Sequence, residues 1–231
     1  MFYFNGTRKP NFSNIKKIDY DQYWRERGFG INKKLKEREH IILDLISNGS
    51  KVCDIGCGSS LLPIKLKDKG IDISVADISD VVLESFNSEG VKTKRINLED
   101  IDGFNLNEKF NYIILSEVLE HTKNPEEIIS KLKKSTENFI VTIPNSAFYR
   151  YRLHLLFFGR FFTQWVYHPS EHIRFWSHID FLDWLDALGL KVLEVKSSNG
   201  FSFFGLIPNL KNLFKNLFGH QIVYLCKVEK K

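Results

Sequence analysis

No apolar run in this chain reaches the roughly 18 residues that a bilayer-crossing helix needs. The opening MFYFNGTRKP also lacks the basic-then-apolar layout of a secretory signal. A cytoplasmic protein with no stable membrane insertion is therefore expected. Cysteine is scarce and odd in number. Cys53, Cys57 and Cys226 cannot form a closed disulfide framework and lack the paired spacing of a zinc site. Reduced, space-filling thiols and no metal are the expectation. The net charge of +5, from 33 basic and 28 acidic residues, comes without a helix-turn-helix, an RNP-like run or a Cys/His finger. A solvated basic face, with no nucleic-acid partner, accounts for it. No Pro/Gly/Ser-rich linker, internal repeat or low-complexity block interrupts the chain, so a single domain over residues 1–231 is expected.

What is present is an alternation of short apolar runs and amphipathic segments. DYDQYWRERG and KKLKEREHIILDLIS read as helices, the second with Leu35, Ile42, Leu45 and Ile46 on one face. Then KVCDIG, DISVADI, VKTKRIN, FNYIILS and NFIVTIP read as strands. Between them lie helices ending at Gly70, capped by Ser79 and stopped by Gly90, and opened by Asn124 with Pro125. HIDFLDWLDALG is a further helix, and LKVLEVKSS and QIVYLCKV are the last strands. The pattern predicts an α/β fold, a doubly wound, seven-stranded, mostly parallel sheet. The final pair lacks a crossover pattern, which predicts an antiparallel edge hairpin.

The run VCDIGCGSS, residues 52–60, poses the functional question. A dinucleotide fingerprint needs a third glycine for close approach to a pyrophosphate, and Leu61 stands there instead. An acid at the strand end, Asp54, suits a cationic ligand better than a polyphosphate. A second acid, Asp77, closes the next strand about 20 residues later, where this architecture holds an adenosine ribose. Either acid alone reads as a turn former. The pair, in this strand order, points to an adenosyl sulfonium.

These segments resemble the class I S-adenosylmethionine-dependent methyltransferases. VCDIGCGSS looks like their first motif, VADIS their second-strand acid, INLEDI the loop beside the adenine, and FNYIILSEVLEHTKNPEEII their fourth-strand block. FIVTIPNSAFYRYRLHLLFFGRF, HIRFWSHIDFLDWLDALGL and NLFGHQIVYL extend the likeness to the MetW-like branch, and YDQYWRERG resembles enzymes found with surface-glycan assembly. Ser60 and Asn111 stand where relatives often carry Gly and Asp. The resemblance implies a Rossmann-like methyltransferase fold and S-adenosyl-L-methionine as cofactor, with S-adenosyl-L-homocysteine as product. Residues 1–48 would be N-terminal helices, 49–144 the cofactor half, 145–176 an acceptor lid and 177–231 the C-terminal half. Asp54, Gly56, Cys57 and Gly58 would line the methionine end, Asp77 the ribose, and Ile78 and Leu98 the adenine, with Glu99 or Asp100 near its amino group. Ser116 and Glu117 would lie against the methyl donor. Trp24 and Arg25 would close over the cofactor, unless Trp24 simply packs its helix.

Methyl transfer from a sulfonium needs a held nucleophile, excluded water and a proton acceptor. Residues 145–176, long and without a predicted core element, suit a lid. Their aromatics surround Arg150, Arg152, Arg160, His168 and Arg174, which fits a small anionic or sugar-like acceptor. Alternatively the aromatics pack the insert on the sheet and the Arg heads reach solvent. His121 and His172 are the candidate bases, with Glu171 and Tyr149 behind them; each histidine could equally be structural. LIPNLKNLFKNLF places Leu206, Leu210, Leu213, Phe214, Leu217 and Phe218 on one helical face, away from Lys211 and Lys215. That face would pack on the sheet edge, on a second copy in a homodimer, or shallowly on a membrane.

Three functions compete. One is O-methylation of a small polar acceptor, as in polysaccharide biosynthesis. The second is a MetW-like non-catalytic or regulatory partner of an acyltransferase in methionine biosynthesis. A nucleic-acid methyltransferase is third, disfavoured because SEVLEH replaces the Asn/Asp-Pro-Pro-aromatic grip on a flipped base.

Overall fold

The computed structural model describes residues 18–26, 28–159, 172–201 and 210–229. Seven strands form one sheet: β1 Lys51–Ile55, β2 Asp72–Asp77, β3 Lys92–Arg95, β4 Phe110–Ser116, β5 Thr136–Pro144, β6 Leu190–Ser198 and β7 Gln221–Val228. Their order is β3-β2-β1-β4-β5-β7-β6. β1 to β5 run parallel, and β7 pairs antiparallel with both β5 and β6. The terminal hairpin is as the sequence predicts. Its second strand turns inward, so β6 rather than β7 forms the edge.

The continuous apolar runs follow from burial on both faces, because successive side chains point to opposite sides of a strand. Cys53, Ile55, Ile113, Leu115, Phe139 and Val141 enter one core with helices α5 Pro125–Leu132 and α7 His178–Ala187. Val52, Ile114, Ile140 and Val223 enter the other with α2 Glu37–Leu45, α3 Leu62–Asp68 and α4 Asp80–Ser88. The three cysteines are buried free thiols, and burial pushes Cys53 and Cys226 up to about 12, out of reach of thiolate chemistry.

Local signals behave unevenly. The Ser79 hydroxyl accepts from the Val82 N–H at 3.4 Å, the cap expected of it. Asn124 occupies a cap position, but its side chain makes no capping bond; its carbonyl accepts from Ile128 instead. α2 begins at Glu37 rather than Lys33, because the Glu39 carboxylate takes the Lys36 backbone N–H at 2.8 Å and fixes the helix start there.

Two corrections concern the C-terminal half. The 145–176 stretch contains a helix, α6 Tyr149–Phe158, in which only Tyr151 is buried. Its apolar residues surround the axis, so no amphipathic stripe marks it in the sequence. The single helical face expected over 206–218 is also not continuous in its described part, 210–218. Residues 202–209 lie outside the described residues. The remainder makes two four-residue turns, α8 Leu210–Leu213 and α9 Lys215–Phe218, broken at Phe214. The break turns Leu213 and Phe214 outward, while Lys211 folds in to pair with Glu37.

Candidate functional site

β1 lies between β2 and β4, where chain connections diverge to either side, and the strand ends there leave a crevice. The chain leaves β1 through Gly56 (φ 71°) and Gly58 (φ 49°), both left-handed. A Cβ on Gly56 would fall 2.6 Å from Val118 Cγ2, so only glycine lets the turn pass under the segment after β4. Opposite, Asp77 ends β2. Its Oδ2 accepts the Gly58 N–H at 3.1 Å and its Oδ1 the Ser79 N–H at 3.0 Å. The turn and Asp77 thus form one hydrogen-bonded unit, with Asp54 buried beside it.

Its charge is unbalanced. Asp54 and Asp77 are 2% and 7% exposed, and a third acid, Glu39 of α2, is also 2% exposed. Among the described residues none of the three makes an ion pair, and Asp54 Oδ1 has no hydrogen-bond partner. Burial, reinforced by Glu39 and Asp77, pushes the Asp54 carboxyl well above the usual range, and only Arg38 opposes this. Burial raises Asp77 too, against the pull of its backbone N–H donors. A buried pocket with surplus negative charge and an unmatched acceptor favours a ligand that is cationic and donates hydrogen bonds. The thiol of Cys57 in the same turn is pushed up by burial and is no nucleophile there.

Glu39 was not among the expected site residues, although a signal for it exists. It lies in the same helical stripe as Leu35, Ile42 and Ile46, a lone acid on a buried face. The Ser60 hydroxyl donates to its Oε1 at 2.9 Å, which gives a use to one of the two departures from the resembled pattern. Asn111, the other departure, accepts the Lys51 N–H at 2.7 Å at the far end of β1.

α1 Tyr20–Glu26 covers the turn. Trp24 Cζ2 lies 3.1 Å from where a Gly58 Cβ would be, with Tyr23 and Phe29 edge-on to its indole. Arg25 on that helix is exposed. Asp21 fixes α1 by accepting from the Ser79 hydroxyl at 2.6 Å. Beyond β2 and β3, Ile78 and Leu98 are half-buried, and Glu99 accepts the Lys123 N–H at 2.9 Å, bridging to the segment after β4.

Ser116 and Glu117 end β4 within a polar network. The Ser116 hydroxyl lies 3.1 Å from that of Thr142 and accepts from Arg38 Nε at 3.3 Å. Glu117, at a left-handed φ of 58°, accepts from Thr142 at 3.2 Å and from Gln221 Nε2 at 2.7 Å. Arg38, Thr142 and Gln221 were not foreseen. They come from three distant segments, and only the folded sheet brings them together.

A single 3-10 turn, Leu119–His121, follows. It brings His121 edge-on to His172, with ring centroids 4.6 Å apart, joining the two histidines the sequence placed at this mouth. Burial and the neighbouring His121 push His172 down to about 3, so it is neutral at physiological pH and a weak base. Tyr149 lies elsewhere, packed among Phe148, Phe201 and Phe218 and accepting from Arg150 Nε at 3.0 Å. Arg152 donates to the Ala147 and Asn216 carbonyls, and Arg174 to that of Lys123, so both tie backbone segments together. Glu171, Arg160 and His168 lie outside the described residues. A hollow of about 500 Å³ between Ile101, Phe104 and Lys131 is at the opposite, N-terminal edge of β4 and β5 and contains none of these groups. No helix among the described residues is long and apolar enough to cross a membrane.

Comparison with known proteins agrees with this fold. The family model described as methionine biosynthesis protein MetW matches residues 36–226. A curated relative, the bifunctional methionine biosynthesis protein MetXA/MetW of Rhodopirellula baltica, is 26% identical over 173 residues, 68% of this chain. The match spans only 27% of that relative's length. Among solved structures, magnesium protoporphyrin IX methyltransferase from Synechocystis PCC 6803 with bound SAH superposes with a TM-score of 0.61 at 15% identity. It covers 91% of this chain and 98% of that one. A TehB-like SAM-dependent methyltransferase from Corynebacterium glutamicum gives a TM-score of 0.56 at 14% identity, over 91% and 96%. At these identities the likeness is one of fold.

Proposed function

The chain belongs to the MetW family, and we propose that its glycine turn binds S-adenosylmethionine and that it methylates an oxygen of a small polar acceptor, anionic or sugar-like. The carrying observation is the acidic unit around the turn: buried Asp54 with an unpartnered oxygen, beside Asp77 locked to the Gly58 N–H. Bound there, the cofactor supplies a methyl group on a positively charged sulfur, already activated for displacement. Asp54 and Glu39 provide the negative surroundings for its charged end, Asp77 accepts the ribose hydroxyls, and Ile78 and Leu98 flank the adenine. Gly56 and Cys57 complete the floor. Trp24 excludes water from above, and Arg25 meets the carboxylate. Ser116 and Glu117 face the reacting methyl. Arg38, whose Nε donates to the Ser116 hydroxyl, is the described cation at that end of β4, and Arg150, which donates to the Tyr149 hydroxyl, would be a second cation for an anionic acceptor.

Titration calorimetry with S-adenosylhomocysteine tests the cofactor reading directly. Micromolar binding that Asp77→Ala abolishes is the expected result. No heat with wild type, or equal heat with the variant, defeats it. The acceptor class is tested by screening sugar phosphates and nucleotide sugars for S-adenosylhomocysteine release.

A second reading rests on a separate observation. The curated relative joins a MetW portion to MetXA in one bifunctional chain. Here α6 turns Leu156, Phe157 and Phe158 outward, each more than half exposed, a contiguous apolar ridge of the sort partners cover. On that reading the protein docks on an acyltransferase of methionine biosynthesis. Co-purification lost on Phe157→Glu, with the S-adenosylhomocysteine affinity retained, favours it.

A further inference from the structure

The methyl-transfer reading leaves one buried group unused. Glu120, in the turn after β4, is fully buried (0% exposed), and neither carboxylate oxygen has a hydrogen-bond partner. A carboxylate can only accept, and burial without donors is rare unless a cation is close. Two imidazoles stand beside it, and Glu117 and Arg38 are the charged groups near enough to act on it. One ligand atom each from Glu120, His121 and His172 can be chosen so that all three lie within 4.8 Å of one another. The two rings stand edge to face at 89°, with centroids 4.6 Å apart.

The backbone holds this arrangement in place. Ile173 and Arg174 donate their N–H groups to the Glu120 carbonyl at 2.9 and 3.1 Å, pinning the return segment that carries His172. The Arg174 guanidinium donates to the Lys123 carbonyl and pins it again on the far side. Glu117, the nearest other acid along the chain, is already engaged by Thr142 and Gln221. A carboxylate and two imidazoles from two remote segments are thus clamped together.

We infer that Glu120, His121 and His172 form a three-ligand site for a divalent first-row transition cation. Two imidazole nitrogens and one carboxylate oxygen suit such ions, at about 2.0–2.2 Å for zinc, and leave at least one position open. The expectation of no metal rested on cysteine spacing, which says nothing about a Glu-His pair completed by a histidine about 50 residues away. The site stands by itself. If the methyl-transfer reading also holds, the open position lies beside the end of β4 that faces the acceptor. The cation would then favour the deprotonated acceptor hydroxyl, a task for which the half-buried His172 is poorly suited.

The full chain, stripped with a chelator and dialysed, is titrated with Co2+ and then Zn2+. One equivalent of Co2+ should bind with visible absorption of a low-coordinate site and be displaced by one equivalent of Zn2+. Glu120→Gln and His172→Ala should each weaken Co2+ binding by more than about 100-fold, the loss that removing mere outer-shell partners already approaches. S-adenosylhomocysteine binding serves as the check on folding and reports separately on the cofactor site. If Glu120→Gln fails to fold, His172→Ala decides. Substoichiometric Co2+ binding by wild type, or affinity unchanged in a folded variant, overturns the site.

Discussion

The backbone N–H of Gly58 donates to Asp77 Oδ2 at 3.1 Å, tying the turn after β1 to the end of β2. The acid therefore has two tasks, shaping the turn and presenting its remaining acceptor capacity to the crevice. Asp77→Asn keeps the size but loses the charge, so its loss of S-adenosylhomocysteine affinity measures the second task. A charge-assisted hydrogen bond contributes about 1.5–3 kcal/mol, so calorimetry should record a loss of roughly 10- to 100-fold.

Gly56→Ala combines a left-handed φ of 71° with a methyl 2.6 Å from Val118 Cγ2. Denaturant unfolding should show a loss of about 2–4 kcal/mol, with the φ strain and the overpacking contributing together. A double-mutant cycle with Val118→Ala should return a favourable coupling of about 1 kcal/mol, since removing the clash leaves the φ strain behind.

Asn145, fully buried, donates its Nδ2 towards the Lys215, Asn216 and Gly219 carbonyls and accepts the Ala147 and His178 N–H groups on Oδ1. It joins the end of β5 to α7 and to the turns before β7. Asn145→Ala should cost about 3 kcal/mol, because several buried backbone groups lose their partner at once. Asn145→Asp should be no better, since a carboxylate cannot donate to three carbonyls. Thermal unfolding of both variants checks the order.

Two groups, one buried and one half-buried, give stability opposite dependences on pH. His178, whose Nδ1 lies 2.8 Å from the Tyr224 hydroxyl, is lowered by burial from 6.5 to about 4. The unfolded chain then binds more protons in that window, so its contribution is present above 6.5 and is lost as pH falls towards 4. Asp54, raised well above 3.8, acts in reverse: the folded state keeps its proton longer, and its contribution is lost as pH rises from 3.8 upward. Melting temperature measured against pH should therefore decline less on the alkaline side in Asp54→Asn, and less on the acid side in His178→Gln.

The parallel core was legible in the sequence because its strands are buried on both faces and read as unbroken apolar runs, as in FNYIILS. The Asp54 and Asp77 positions were legible because strand, turn and acid recur at fixed spacing. α6 was hidden because Leu153, Leu156 and Phe157 put apolar groups all round it, which erases the helical period. Arg38 was hidden differently. The charged side of α2 reads as a solvent face until the sheet shows that its strand ends, with Ser116 and Gln221, lie against it. The Glu120 cluster depended on which way the chain returns at His172, and local pattern cannot reveal that.

β7 follows β6 in the chain yet fills the gap between β5 and β6. At a strand spacing of about 4.8 Å, that gap is roughly 10 Å wide until residues 221–228 arrive. While the polypeptide is being made, β5 has an unpaired edge and β6 has no neighbour at all. A ribosome stalled before residue 221 would thus hold a nascent product with a bare apolar rim, open to chaperones or to pairing with its siblings.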